Sequence, residues 1–254
     1  MTERNRLSNH EWRQIIRFLR TYPGIYVGKS GKCRRFINGI VWIARTGSQW
    51  RELPEKYGKW NSVYKRFTRW QSKGIWEKLF MHYAKDPDME SMLLDSTVIR
   101  AHPCAAGAPA KEGGQEAQAL GKSKGGFTTK IHIVVDALGL PLDFVLTAGQ
   151  RHDVTQAPTL IKGRKATYVI ADKSYDSDAF RALIEETGAI PVIPGRGNRV
   201  EPIEYDEHLY KERHLVECFI NKIKWYRRIF VRYEKLDSSY LAFLYIVSTL
   251  VWLR

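Results

Sequence analysis

Apolar and polar residues follow two regimes along the chain. Up to about residue 83 the apolar positions recur at helical spacing. Ser8-Asn9-His10-Glu11 has the form of a capping box, and Trp12, Ile15, Ile16 and Leu19 follow on one helical face until Pro23 stops it. A second helix is predicted over about 34–45, with Phe36, Ile37, Ile40 and Val41 inward and Gly47 as its end. The third, about 62–72, takes Asn61 as its cap and turns Val63, Phe67 and Trp70 to the core. Its outer face then carries Lys65, Arg66, Arg69 and Lys73. A short fourth helix, about 76–83, runs into the linker Asp86-Pro87-Asp88.

Beyond the linker, β-rich runs take over. Residues 92–99 read as a buried strand that contains Asp95, and a carboxylate there is costly unless it is paired or coordinates a cation. Residues 130–135 and 142–147 form a predicted hairpin turning at 137–141, and His152-Asp153 after it either support a site's ligands from behind or cap a helix, the cap being favoured. Residues 168–171 make a strand that ends directly at Asp172. Ser177 caps a helix over 178–187 that Gly188 ends, with Asp176 read as structural, and 190–193 is the last strand. The Ala-, Gly- and Lys-rich segment 100–126 shows no apolar period and reads as a long flexible loop beside Asp95. Lys122 and Lys124 there either meet a DNA backbone or are simply solvated. The apolar run 241–253 is too short for a bilayer span and reads as a core helix starting at Ser238 or Ser239.

One further helix, 210–224, continuing towards Tyr233, separates two faces at about 100° per residue. Leu209, Val216, Phe219, Ile220, Ile223, Tyr226 and Phe230 form the apolar sector. Tyr210, Arg213, Glu217, Asn221 and Lys224 form a polar stripe, either a solvated face with an Arg213–Glu217 ion pair or part of a site.

Charge sharpens this picture. The net charge is +14, and residues 1–88 hold 19 Lys and Arg against 7 Asp and Glu, whereas residues 89–254 hold 22 against 20. A basic helical module, 1–88, suits a helix-turn-helix-like grip on double-stranded DNA, followed by a nearly neutral module, 89–254. The three cysteines, Cys33, Cys104 and Cys218, show no metal-binding spacing, and Cys218 is expected to be buried and inert. The polar start predicts no secretory leader, which fits a cytoplasmic, nucleoid-associated protein with no membrane partner.

The order strand with acid, hairpin, strand with acid, helix, strand, helix with acid fits an α/β ribonuclease-H-like domain, a mixed sheet flanked by helices. In that fold Asp95, Asp172 and Glu217 would converge. Three carboxylates suit a pair of Mg²⁺ ions, with Mn²⁺ as a substitute, for in-line phosphodiester chemistry.

These residues also carry a family resemblance. Tyr210-x2-Arg213-x3-Glu217-x6-Lys224 is similar to the tyrosine–arginine–glutamate–lysine signature of bacterial DDE transposases. LLDST at 93–97, GGFTTKIHIVVDALGLPL from 125, AGQRHD at 148–153 and ADKSYDS at 171–177 resemble the insertion-sequence-five family. NGIVWIARTGSQWRELP and WNSVYKRFTRWQSKGIWE resemble its end-binding region. The resemblance implies that Asp95, Asp172 and Glu217 are catalytic metal ligands. It also implies that Tyr210, Arg213 and Lys224 hold DNA phosphates at the element's end. A homodimer would bridge two terminal inverted repeats, cleave them and transfer their 3′-hydroxyl strands to target DNA. Three rival readings stay open: a ribonuclease-H-like nuclease without strand transfer, a catalytically inactive, domesticated sequence-specific DNA-binding protein, and a basic ribosome- or RNA-associated protein.

Overall fold

The structure is a computed structural model that describes residues 6–114, 116–123 and 126–254. Lys124, one of the expected DNA contacts, lies outside the described residues. The chain divides into two compact units, residues 1–85 together with 223–254, and residues 86–222.

The first unit is helical. Helix α1 (Asn9–Thr21) opens with the expected capping box: the Glu11 amide donates to Ser8 Oγ at 3.1 Å and the Ser8 amide to Glu11 Oε2 at 2.6 Å. Helix α2 (Ser30–Thr46) ends at Gly47, whose φ of +69° is the left-handed stop that glycine adopts without strain. Helix α3 (Trp60–Ser72) begins before Asn61, so Lys59 rather than Asn61 is its cap, with no side-chain cap bond. Helix α4 (Ile75–Tyr83) follows after Gly74. The shared core is aromatic: Phe36 meets Trp70 edge-on at 5.1 Å, Trp70 lies 5.0 Å from Trp76, and Phe67 stacks on Phe243 at 4.9 Å.

Phe243 belongs to the final apolar helix. The division expected at residue 88 gave everything beyond it to one domain, yet residues 223–254 pack with the N-terminal helices. The apolar period of that helix shows that it is buried without showing in which core. Buried charges tie down the segment leading to it. Arg228 Nε donates to Glu234 Oε1 at 2.5 Å, Arg228 Nη1 to the Ser48 carbonyl at 3.1 Å, and the wholly buried Arg232 to the Glu234 carbonyl at 3.0 Å.

The second unit is built on a mixed sheet. Strand β1 (Ser91–Ala101) lies antiparallel to β3 (Gly126–Val135), from Leu93↔Val135 to Arg100↔Thr128. Strand β3 in turn pairs antiparallel with β4 (Pro141–Ala148) and, at its start, with the short β2 (Gly121–Ser123). On its other side β1 runs parallel to β5 (Tyr168–Ala171), which runs parallel to β6 (Ile190–Val192). The segment expected to be a flexible loop is partly organised: β1 extends to Ala101, 3-10 turns span Pro103–Ala105 and Ala110–Glu112, and Ala105 and Leu120 are buried. Its small residues fold back by short turns rather than by apolar periodicity.

Helices α5 (Ala157–Ile161) and α6 (Asp178–Glu186) follow β4 and β5. Ser177 caps α6, its Oγ accepting from the Phe180 amide at 3.2 Å. The helix expected over 210–224 is α7 (Glu207–Tyr210), a 3-10 turn over Lys211–Arg213, and α8 (His214–Lys224). It stops at Lys224 instead of running towards Tyr233; Tyr226 is extended, and α9 (Arg227–Phe230) and β7 (Val231–Arg232) follow before α10 (Asp237–Trp252). No described helix is long and apolar enough to cross a membrane.

Two contacts seat α8 on the sheet. Phe219 stacks on Phe144 of β4 at 6.1 Å. The hairpin turn reaches the helix at Gly139, where an added Cβ would lie 3.2 Å from both Leu215 Cβ and the Leu215 carbonyl oxygen. Asp136 shapes that turn, its Oδ1 accepting from the amides of Leu138 at 3.0 Å and Leu140 at 2.8 Å.

Candidate active site

Parallel pairing of β1 and β5 fixes where two aspartates sit. The register ends at Leu94↔Ala171, and the next residue on each strand is an aspartate, Asp95 and Asp172. Adjacent strands lie about 4.8 Å apart, so two apolar runs that each end in an acid bring a pair of carboxylates to where the parallel pairing stops, midway along β1 and just past the end of β5.

Each carboxylate is held locally. Asp95 Oδ1 accepts from the Ser96 amide at 2.7 Å. Asp172 Oδ1 accepts from the Ser174 amide at 2.8 Å and also from the Ser174 hydroxyl. Glu217 comes from α8, half exposed, and Arg213 lies between it and Asp95. The guanidinium donates from Nη1 to Asp95 Oδ2 at 2.9 Å and from Nη2 to Glu217 Oε1. The ion pair foreseen along the helix therefore forms and also reaches across to the sheet.

Burial raises the Asp95 pKa, and the negative charges of Asp172 and Glu217 push it the same way, against the Ser96 amide and Arg213. The same two partners, Asp95 and Glu217, hold the Arg213 pKa up although burial works to lower it. Arg213 thus links Asp95 to Glu217 directly, and Asp172 is near enough to bear on the ionisation of Asp95. Tyr210 leans on the cluster, its ring 6.0 Å from the Arg213 guanidinium and edge-on to Tyr205 at 5.5 Å. Asn221 is exposed further along α8, and Lys224 is the helix's last residue, counted with the other unit.

Some expectations need correcting. Cys218 is exposed, because α8 turns Val216, Phe219 and Ile220 inward and leaves Cys218 outside that sector. Arg66 does not share the open face of α3 with Lys65, Arg69 and Lys73, which are exposed. Its guanidinium packs over Phe36 at 4.4 Å and Trp70 at 4.8 Å and donates to the Val27 carbonyl at 3.2 Å. Lys122 is exposed on β2.

Asp153 does not cap a helix. No side chain caps the 3-10 turn Asp153–Thr155, and the Asp153 carboxylate turns back towards the site. Its Oδ1 accepts from Ser96 Oγ at 2.6 Å and from Lys130 Nζ at 2.9 Å, and its Oδ2 lies 3.4 Å from Ser174 Oγ. The structure thus gives Asp153 the alternative that the sequence left beside the cap, a place among groups next to the site.

Asp176, four residues beyond Asp172, is a structural hub. It binds Arg181 Nε at 2.9 Å, Arg199 Nε at 2.6 Å and the Arg196 amide at 2.8 Å. Burial would raise its pKa, but these donors, Arg199 foremost, bring it down to about 2.

A mixed sheet with two aspartates where its parallel pairing stops, and a helix that carries a glutamate, has the kind of donor set that carboxylate-dependent phosphoryl-transfer enzymes use. Residues 86–252 match the model described as "Transposase DDE domain", and residues 7–80 match that of the "Putative transposase of IS4/5 family". The chain belongs to the DDE transposases of bacterial insertion sequences. Similar proteins include the "Putative transposase for insertion sequence element IS6501" of Brucella ovis, 46% identical over 132 residues, covering 50% of this chain and 99% of the relative. A Sinorhizobium fredii protein, y4sN, is 37% identical over 112 residues, 43% of this chain and 87% of its own. The "Putative transposase for insertion sequence element IS402" of Burkholderia cepacia is 33% identical over 128 residues, 46% of this chain and 58% of its own. No solved structure matches the chain.

The family is one of metal-dependent enzymes. Among the described residues, no three acidic, histidine or cysteine side chains converge into a ready-made metal cage. The Arg213 guanidinium instead fills the position of a cation between Asp95 and Glu217. The donor set nevertheless fits a hard dication, since it offers only carboxylate oxygens and carries more negative charge than one arginine balances.

Proposed function

We propose that the chain binds the terminal inverted repeats of an insertion sequence, cuts the element's ends and joins the freed 3′-hydroxyl strands to target DNA. The observation that carries this reading is that Asp95 and Asp172 each follow the last pair of the parallel β1–β5 register, with Arg213 spanning from Asp95 to Glu217. The strand order supports assigning the second unit to the ribonuclease-H-like fold.

Asp95, Asp172 and Glu217 would hold two Mg²⁺ ions, or Mn²⁺ in their place. Bound there, the metal would lower the pKa of the attacking water or 3′-hydroxyl and offset charge on the leaving oxygen. The residues around it orient the reactants. Ser96 and Ser174 fix one oxygen of each aspartate by hydrogen bonds, which leaves the second oxygen of Asp172 free to coordinate. Arg213, released from its carboxylates, would turn its planar guanidinium to a DNA phosphate, with Tyr210, Asn221 and Lys224 along the same helical stretch.

Lys65, Arg69 and Lys73 present an open cationic face on α3, suited to phosphates of the inverted repeat. Lys122 adds a further exposed cation. Joining two ends in one event calls for a homodimer.

Glu217→Gln tests the reading. It keeps the side chain's size, so binding to end DNA should stay within twofold of wild type while Mg²⁺-dependent cleavage falls at least a hundredfold. Equal loss of binding and cleavage would mean that Glu217 is a structural partner of Arg213 and not a metal ligand. Cleavage of any duplex without joining would favour a nuclease, and end binding by the wild-type chain with no Mg²⁺-dependent cleavage would favour the inactive DNA-binding reading.

A further inference from the structure

Beside Ser96 and Ser174, which hold the two aspartates, lies a partly buried polar cluster. Asp153 is its centre, on the turn after β4, with its side chain 18% exposed. Lys130 of β3, 12% exposed, pairs with Asp153 and also donates to the Arg151 carbonyl at 2.7 Å. His132, two residues along β3 and so on the same face, has its side chain fully buried, places Nδ1 3.6 Å from Asp153 Oδ1 and bonds Thr147 Oγ1 through Nε2 at 2.8 Å.

The cluster leads to both candidate metal ligands. Ser96, whose amide holds Asp95 Oδ1, gives its hydroxyl proton to Asp153 at 2.6 Å. Ser174, whose amide and hydroxyl hold Asp172 Oδ1, has that hydroxyl 3.4 Å from the other Asp153 oxygen. One carboxylate thus stands between the mid-portion of β1 and the turn after β5, reaching Asp95 through one serine and Asp172 through another. A partly buried carboxylate costs folding energy unless a cation and donors offset it, and Lys130 with Ser96 does so here. The result is a fixed strut in the interval that decides how far apart Asp95 and Asp172 stand.

We propose that Asp153 is a positioning residue that, through Ser96 and Ser174, sets the separation and orientation of Asp95 and Asp172 and thereby the site's affinity for a divalent ion. The proposal rests on the reading of Asp95 and Asp172 as metal ligands. Groups that orient metal ligands from behind change metal affinity about 10–100-fold when removed.

The test is Mn²⁺ binding by the full chain without DNA, read from the free-ion electron paramagnetic resonance signal, with a thermal melt of each variant alongside. Asp153→Ala should keep a cooperative melt yet bind Mn²⁺ about 10–100-fold more weakly. Asp153→Asn retains an oxygen that can accept from Ser96 but loses the charge facing Lys130, so its affinity should lie between the two. That graded recovery is what a purely structural role would not give. Should Asp153→Ala fail to fold, Ser96→Ala decides, because it cuts one link and leaves the partly buried ion pair; a severalfold loss of Mn²⁺ affinity is expected.

Asp95→Ala is the reference. Wild-type Mn²⁺ affinity in a folded Asp153→Ala, or in Ser96→Ala where Asp153→Ala does not fold, overturns the proposal if Asp95→Ala has lost binding. Unchanged affinity in Asp95→Ala overturns the assignment of the site itself.

Discussion

Replacing Asp176 by asparagine isolates the charge of one buried carboxylate. The side chain is 1% exposed and meets Arg181 at 11% and Arg199 at 25% exposure, so water screens the pairs little. Its pKa falls from 3.8 to about 2, and at about 1.4 kcal/mol per unit the charge contributes on the order of 2 kcal/mol at neutral pH. The folded-state pKa is the depressed one, so this contribution is fully present above about pH 4 and is lost as the pH falls towards 2. Asp176→Asn should therefore lower stability by about 2–3 kcal/mol at pH 7, and the gap to wild type should close by about 1.4 kcal/mol per pH unit below pH 4.

The assay must report on the right part of the molecule. All eight tryptophans fall within residues 1–85 and 223–254, so intrinsic fluorescence follows the helical unit alone. Far-ultraviolet circular dichroism is dominated by the same helices, so hydrogen exchange of the β5 and α6 amides across a urea series at each pH is the measurement that reads the sheet. A difference under 0.5 kcal/mol at pH 7, or one that persists unchanged at pH 2, would refute the argument that ionised Asp176 holds this turn.

Two further outcomes follow from the geometry. Gly139→Ala puts a Cβ at a φ of +74° and against Leu215, so it should cost about 1–3 kcal/mol. It should also reduce cleavage more than end binding by shifting α8; unchanged melting and activity would contradict the close approach. The triple change Lys65→Ala, Arg69→Ala and Lys73→Ala should leave the melt nearly unaltered, since all three side chains are exposed. It should flatten the dependence of log affinity for end DNA on log salt by about 2.7, at about 0.9 per lost phosphate contact, and an unchanged slope would remove these residues from the interface.

Local signals in the chain were readable. Ser8 and Glu11 announced their reciprocal cap, and Tyr168–Ala171 ends where its apolar run ends, at Asp172. Cooperation across long sequence separations was not. Ser96 and Asp153 are 57 positions apart, and nothing in either neighbourhood's pattern ties them together. Arg66 sits among exposed cations on α3, but the ring of Phe36 that claims it belongs to α2. Amphipathic phase gave the apolar sector of α8, while the break into a 3-10 turn at Lys211–Arg213 is a backbone event without a periodic signature.

The return of residues 223–254 to the helices of residues 1–85 bears on synthesis and on truncation. As the chain is made, α1 to α4 emerge first but meet Phe243 and its neighbours only after the whole sheet has been translated. Until then their aromatic side chains lack a partner surface, and folding of the helical unit must close a loop that contains the other unit. A product cut short within α10 would therefore lose the integrity of the N-terminal helices and could spare the sheet, the reverse of what linear position suggests.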